Sequence, residues 1–140
     1  MYALQRIAAV LILTFIAGCV ETEVSQQNRH RLVQPDLLVT EAHNNSIVPL
    51  RVGQVLEVRL RGNSTVSPPL RWNLAAAPPH VRLRNSDIVS ESPNAVGAGA
   101  TWIFRFDAIT EGQGRLAFDG GGARQQVSYE VEVNNNVIID

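Results

Sequence analysis

The sequence contains no lysine; all 12 of its basic residues are arginine. That absence excludes phosphate loops built around a lysine and Schiff-base chemistry. Cysteine is nearly absent as well. A single Cys19 closes no intramolecular disulfide and builds no cysteine cage for zinc. No sign of charge dominates, since 13 acidic residues offset the arginines to a formal net charge of -1. A nucleic-acid partner needs a basic field, and none is available. Long apolar runs are missing too. The longest, Ile7 to Ala17, is interrupted only by Thr14 and is about half the roughly 20 residues a spanning helix requires. What remains, in 140 residues, is room for one domain with a hydrophobic core.

The apolar run follows Met1 to Arg6, which carries one positive charge, and it ends in Phe15-Ile16-Ala17-Gly18-Cys19. A short charged start, an apolar core and small residues form the pattern of a secretory leader. The end of the run resembles the lipobox of bacterial lipoproteins. The resemblance implies cleavage after residue 18, with Cys19 acylated as the first mature residue. Val20 in place of an aspartate implies sorting to the outer membrane. An ordinary secretory leader followed by a buried free thiol is the alternative. Residues 1–18 are thus expected to be a lipoprotein signal peptide, leaving 11 arginines against 13 acids. Residues 19–36 are polar and without a hydrophobic period, and are expected to tether the lipid anchor to the domain. Residues 37–140 are expected to form the domain, which the lipobox resemblance implies is held in the cell envelope by acyl chains.

Within the domain the hydrophobic period is two. Leu56, Val58 and Leu60 alternate with Glu57, Arg59 and Arg61; Trp102, Phe104 and Phe106 with Ile103, Arg105 and Asp107; and Val127, Tyr129, Val131 and Val133 with Ser128, Glu130 and Glu132. Such alternation marks antiparallel strands with one face buried. Shorter strands are expected at Ile47–Val52, Leu70–Leu74, Val81–Arg84 and Arg115–Phe118. Glycine and proline pairs punctuate the intervals, and no segment carries a helical period. The fold class read from this pattern is all-β, an immunoglobulin-like antiparallel β-sandwich without a disulfide, expected to be monomeric. Its large core members are expected to be Trp72, Trp102, Phe104, Phe106, Leu116, Phe118 and Tyr129.

Nothing in the residues assembles a catalyst. His30 falls in the tether, His43 before the first strand and His80 after two prolines, all three expected to be solvated. No nucleophile sits beside a base, and no histidine spacing suggests a metal, so neither an enzyme nor a cofactor is expected. Gly120-Gly121-Gly122 has no lysine after it and reads as a flexible hairpin.

The loops carry more information. Asn63-Ser64-Thr65-Val66-Ser67-Pro68-Pro69-Leu70-Arg71-Trp72 follows a clean strand and ends in a tryptophan. Val96-Gly97-Ala98-Gly99-Ala100-Thr101-Trp102 places two glycines before an aromatic strand. With the entry Leu50-Arg51-Val52-Gly53-Gln54-Val55, these pieces lie in an order that resembles the chagasin family of cysteine peptidase inhibitors, over about Leu38 to Val133. The resemblance implies that loops at one end of the sandwich form a wedge, which plugs the cleft of a papain-like cysteine peptidase reversibly and without covalent chemistry. It assigns Asn63, Ser64, Thr65 and Val66 to the first contact loop, and Gly97, Ala98, Gly99, Ala100 and Thr101 to the wedge tip. Gly121, Gly122 and Arg124 fall in the third loop. Glycine suits such a tip because it lets backbone approach the enzyme closely.

The loops also depart from the family pattern. Ser64 stands where the family has proline, and Ser67-Pro68-Pro69-Leu70 replaces its glycine–aromatic pair. Ala100 replaces a glycine, and Asp119 to Arg124 stands where the family has Arg-Pro-Trp. Buried aromatic anchors contribute about 2 kcal/mol or more each, so losing two corresponds to about a thousandfold in affinity. Two readings follow. One is a membrane-tethered inhibitor of papain-like peptidases, and the other a non-inhibitory envelope lipoprotein that uses the sandwich as a binding or structural module.

Overall fold

The structure, a computed structural model, describes residues 34–135 apart from Pro93 and Arg124. The leader, Cys19 and most of the tether lie outside the described residues. The strands, in chain order, are β1 (Leu37–Thr40), β2 (Ile47–Arg51), β3 (Val55–Gly62), β4 (Asn73–Ala76), β5 (Val81–Ser90), β6 (Ala100–Ala108), β7 (Gly112–Asp119) and β8 (Gln126–Asn134). They form two four-stranded sheets, ordered β1-β3-β6-β5 and β2-β8-β7-β4. This is the expected sandwich, with one difference. The edge pairs β1–β3 and β2–β8 run parallel, while every other pair is antiparallel.

β1 went unread in the sequence because four residues, Leu37-Leu38-Val39-Thr40, are too short to show a period. Its entry is fixed by Asp36, whose backbone N–H donates to Val55 O at 2.9 Å and whose carboxylate accepts from Val55 N at 2.7 Å. The last residue assigned to the tether is therefore tied to the sheet by two hydrogen bonds, one position before β1 begins. A 3-10 turn at Glu41–His43 carries the chain across to β2, capped by the Thr40 side chain. His43 sits on this turn, between the first two strands rather than before them.

The core lies between the sheets. Leu56, Leu60, Phe106, Leu116 and Val131 are fully buried, and all seven expected aromatic and leucine members are buried with them. Phe118 is central, with ring centroids 4.9 Å from Phe104, 6.2 Å from Phe106 and 6.3 Å from Tyr129. Tilted and edge-on pairs of this kind each contribute about 0.5–1.5 kcal/mol beyond area burial. Tyr129 of β8 also donates its hydroxyl to Thr40 O at 2.8 Å, which pins the end of β1 in the other sheet.

Two polar residues lie deeper than the alternation implied. Glu57 points to the outer face of its sheet yet is only 1% exposed. Arg59 Nε donates to one carboxylate oxygen at 2.5 Å and Arg105 Nε to the other at 2.6 Å, so the arginine stems cover it. Arg105 also reaches Asp87 at 2.8 Å. Burial opposes the Arg105 charge, but its hydrogen bonds to Glu57 and Asp87 and their negative charges outweigh that and hold its pKa above the ordinary value. His80, expected at the surface, is buried, with Nε2 3.0 Å from Val131 O. Gly112 leaves the room it occupies, since a Cβ there would lie 2.9 Å from His80 Nδ1.

Candidate functional site

β3 and β5 end where β6 begins, and β7 ends where β8 and β4 begin, so the connections after residues 62, 90 and 119 gather at one end of the sandwich. The chain enters β1 from the opposite end, because β1 runs parallel to β3. This topology assembles the three loops read from the sequence.

The first loop is closed at its base by reciprocal bonds, Asn63 N to Leu70 O at 3.0 Å and Leu70 N to Asn63 O at 2.9 Å. Inside it, Asn63 Oδ1 accepts from Thr65 N at 2.9 Å and from Thr65 Oγ1 at 2.6 Å. An asparagine turn of this kind satisfies local backbone without secondary structure. The Ser67–Pro68 peptide bond is cis. Ser64 and Val66 are exposed. After the loop, Trp72 is buried and donates its indole N–H to Arg61 O at 2.8 Å, which anchors the returning chain to the strand that left the sheet.

The second loop is closed by Glu91 N donating to Gly99 O at 3.0 Å. Gly97 adopts φ +85°, a left-handed conformation that glycine reaches without cost. Arg61 fastens this loop at its base, with Nε 2.9 Å from Glu91 Oε1, while the Arg61 backbone N–H donates to Glu41. Asn63 links the two loops. Its Nδ2 donates to Gly97 O at 3.0 Å.

The third loop packs on the first. Gly121 (φ +62°) donates its N–H to Asp119 Oδ1 at 3.0 Å, and Gly120 N donates to Gln125 O at 2.7 Å. A Cβ at Gly120 would lie 2.6 Å from Leu70 Cδ1, and one at Gly122 would lie 3.3 Å from Pro69. The glycine run is thus a 3-10 turn, Gly121–Ala123, seated against the prolines rather than a free hairpin. Arg124 lies outside the described residues.

Of the residues assigned from the sequence, Asn63, Thr65 and Gly97 come together directly, and Gly99 stands beside them with a would-be Cβ 3.3 Å from Gly62 O. Ala100 and Thr101 do not belong to the tip. They are the first residues of β6, opposite Gly62 and Arg61 of β3, because β6 starts earlier than its aromatic run. Sequence reasoning passed over Val96, which projects fully exposed beside Gly97. An apolar residue beside a glycine, inside an uncharged stretch, was the available signal. No residue from 63 to 70 or from 92 to 99 is charged, so the tip is neutral, small and rich in accessible backbone. It holds no nucleophile paired with a base, and among the described residues no three metal-ligating side chains converge. Such a surface can fill a cleft but supplies no reacting group.

A family model for chagasin family peptidase inhibitors (I42) matches residues 49–135, more than half of the chain. The chain belongs to the chagasin family. Its fold is similar to that of amebosin in solution, at TM-score 0.59 and 19% identity, covering 72% of this chain and all of that one. It is equally similar to the cysteine protease inhibitor EhICP2 from Entamoeba histolytica, at TM-score 0.59 and 17% identity over 72% of this chain and all of that one. Among curated proteins none matches the chain. The chagasin-family match begins at Pro49, so β1 and the turn that follows it lie before the matched region.

Proposed function

We propose that the protein is a non-enzymatic, reversible inhibitor of papain-like cysteine peptidases, attached to the bacterial outer membrane through acylated Cys19. The observation that carries this reading is the bond from Asn63 Nδ2 to Gly97 O. It holds two uncharged loops side by side as one rigid edge on a sheet end, and a preorganised edge binds a cleft without paying to order itself. Family membership supports the inhibitory class. The described chain enters β1 at the end of the sandwich opposite the loops.

Residues 30–140, added to papain, are expected to inhibit competitively and reversibly at micromolar concentration or below. Full papain activity at tens of micromolar inhibitor, with Gly99→Trp changing no binding, rules the reading out. The third loop favours a second reading, since it presents glycines where an aromatic contact is expected, which suits a non-inhibitory envelope module. The same assay decides between them. Labelled palmitate entering the wild-type chain but not Cys19→Ser tests the anchor separately.

A further inference from the structure

The four sheet edges are not equally protected. β1 and β4 have four residues each, β4 with a bulge between Leu74 and Ala76, and β2 carries Pro49 at its centre. Short strands, bulges and proline all blunt an edge against further pairing. β5 has ten residues, no proline, and a partner on one side only. Every residue from Arg82 to Ser90 is exposed, including Leu83, Ile88 and Val89. Leu83 and Ile88 lie opposite Phe106 and Trp102, which puts them on the core-facing side of the sheet, yet Ile88 remains 63% exposed.

The strand is also electrically polar along its length. Arg82 and Arg84 occupy its first half, while Asp87 and then Glu91 follow in the direction of the loops. Two antiparallel copies of such a strand bring Arg84 of one onto Asp87 of the other, beside the pairs these make with Asp107 and Arg105 of their own chain. The register shift between Leu83 and Asn85 decides how they meet. We propose that β5 pairs antiparallel with β5 of a second copy, about a twofold axis at Ser86, joining two four-stranded sheets into one of eight.

In that register the bulge lets Arg84 and Asn85 together oppose Asp87 of the other chain, as two residues oppose one at a bulge. Ile88 then meets Leu83, and Val89 meets Arg82. The faces agree throughout. Leu83, Ser86 and Ile88 share the side of Phe106, Phe104 and Trp102, while Asn85, Asp87 and Val89 share the side of Arg105, Ile103 and Thr101. The contact is isologous and closes on itself, as a dimer interface must. The two loop ends point in opposite directions, so each stays free.

The test uses the full chain in detergent. Light scattering at high micromolar concentration is expected to give a protein mass twice that of one chain, falling to the single-chain value for Ile88→Lys and Leu83→Lys. Both positions are exposed, and circular dichroism of these variants is expected to match wild type. In a Cys19→Ser background, Ser86→Cys is expected to form a disulfide-linked dimer under mild oxidation, whereas Gln113→Cys, exposed on the other sheet, is not. A single-chain mass for wild type, an unchanged mass for Ile88→Lys, or equal linkage from positions 86 and 113 overturns the proposal. A mass increase that appears only when papain is added assigns the edge to the peptidase and overturns it too.

Discussion

Asn63 and Gly97, 34 positions apart, are joined by a 3.0 Å hydrogen bond from the asparagine amide to the glycine carbonyl. The same side chain accepts two bonds from Thr65, so its oxygen shapes one loop while its nitrogen holds the other. Removing it loosens both loops without touching the core. Asn63→Ala forfeits three exposed hydrogen bonds worth about 0.5–1.5 kcal/mol each. The inhibition constant of residues 30–140 against papain is expected to rise ten- to a hundredfold at about 1.4 kcal/mol per decade, and the melting midpoint to fall by several degrees as the loop bonds are lost. Asn63→Asp keeps the bonds from Thr65 but turns a donor into a carboxylate facing a carbonyl, and is expected to lose affinity as well. An unaltered constant for both variants refutes the link between the loops and inhibition.

Gly62 closes β3 beneath the same two loops. A Cβ there would lie 2.6 Å from Leu70 O and 2.7 Å from the Trp102 ring, both fixed by their own surroundings. Overpacking of this kind costs about 1–3 kcal/mol, and Gly62→Ala is expected to lower the urea midpoint accordingly. Gly53→Ala is the comparison. Nothing lies within 4 Å of its Cβ position, and its φ of +90° leaves only backbone strain. An unchanged urea midpoint for Gly62→Ala indicates that close approach to Trp102 is not what the glycine serves.

Glu57 tests the buried charge cluster. Its carboxylate is shared by Arg59 and Arg105, and only the arginines reach solvent. Arg105→Ala leaves a buried carboxylate with one partner, and breaking such a pair typically costs about 3–5 kcal/mol, less here because Arg59 remains. Glu57→Leu removes the buried charge itself and leaves Arg105 its bond to Asp87. Arg105→Ala is therefore expected to destabilise more than Glu57→Leu in urea unfolding. The reverse order refutes the claim that the carboxylate is the costly member.

How far the sequence reached depended on whether its signal was periodic. β3, β6 and β8 were legible because strict alternation extends over six or more residues, and the same alternation named the core. β5 was half seen. Its second half, Asn85 to Ser90, shows no alternation because every residue there is exposed. β1 was missed for its length, and the parallel pairing of the edges leaves no local trace. His80 looked like a surface residue because burial beside Gly112 is decided by β7, some thirty positions away. The loop positions were readable from residue type, but the bond from Asn63 to Gly97 was not, because it depends on how β3 and β6 align.

Tyr129 makes the alkaline stability of the domain a test of a single residue. Residues 30–140 contain no lysine, no cysteine and no other tyrosine, so between about pH 9 and 12 no other side chain titrates. Burial of the Tyr129 hydroxyl, and secondarily the negative charge of Glu41, raise its pKa well above the ordinary 10.0. The folded state therefore keeps the phenol proton after the unfolded chain has released it. The stability this contributes is fully present below pH 10 and is lost as pH climbs towards the folded value. One proton corresponds to a slope approaching about 1.4 kcal/mol per pH unit above that point. Urea unfolding at intervals from pH 9 to 11.5 is expected to show this decline in the wild-type domain. Tyr129→Phe loses the bond to Thr40, about 1 kcal/mol at neutral pH, but is expected to show a flat profile across the same range. A decline of equal steepness in both proteins places its origin outside Tyr129.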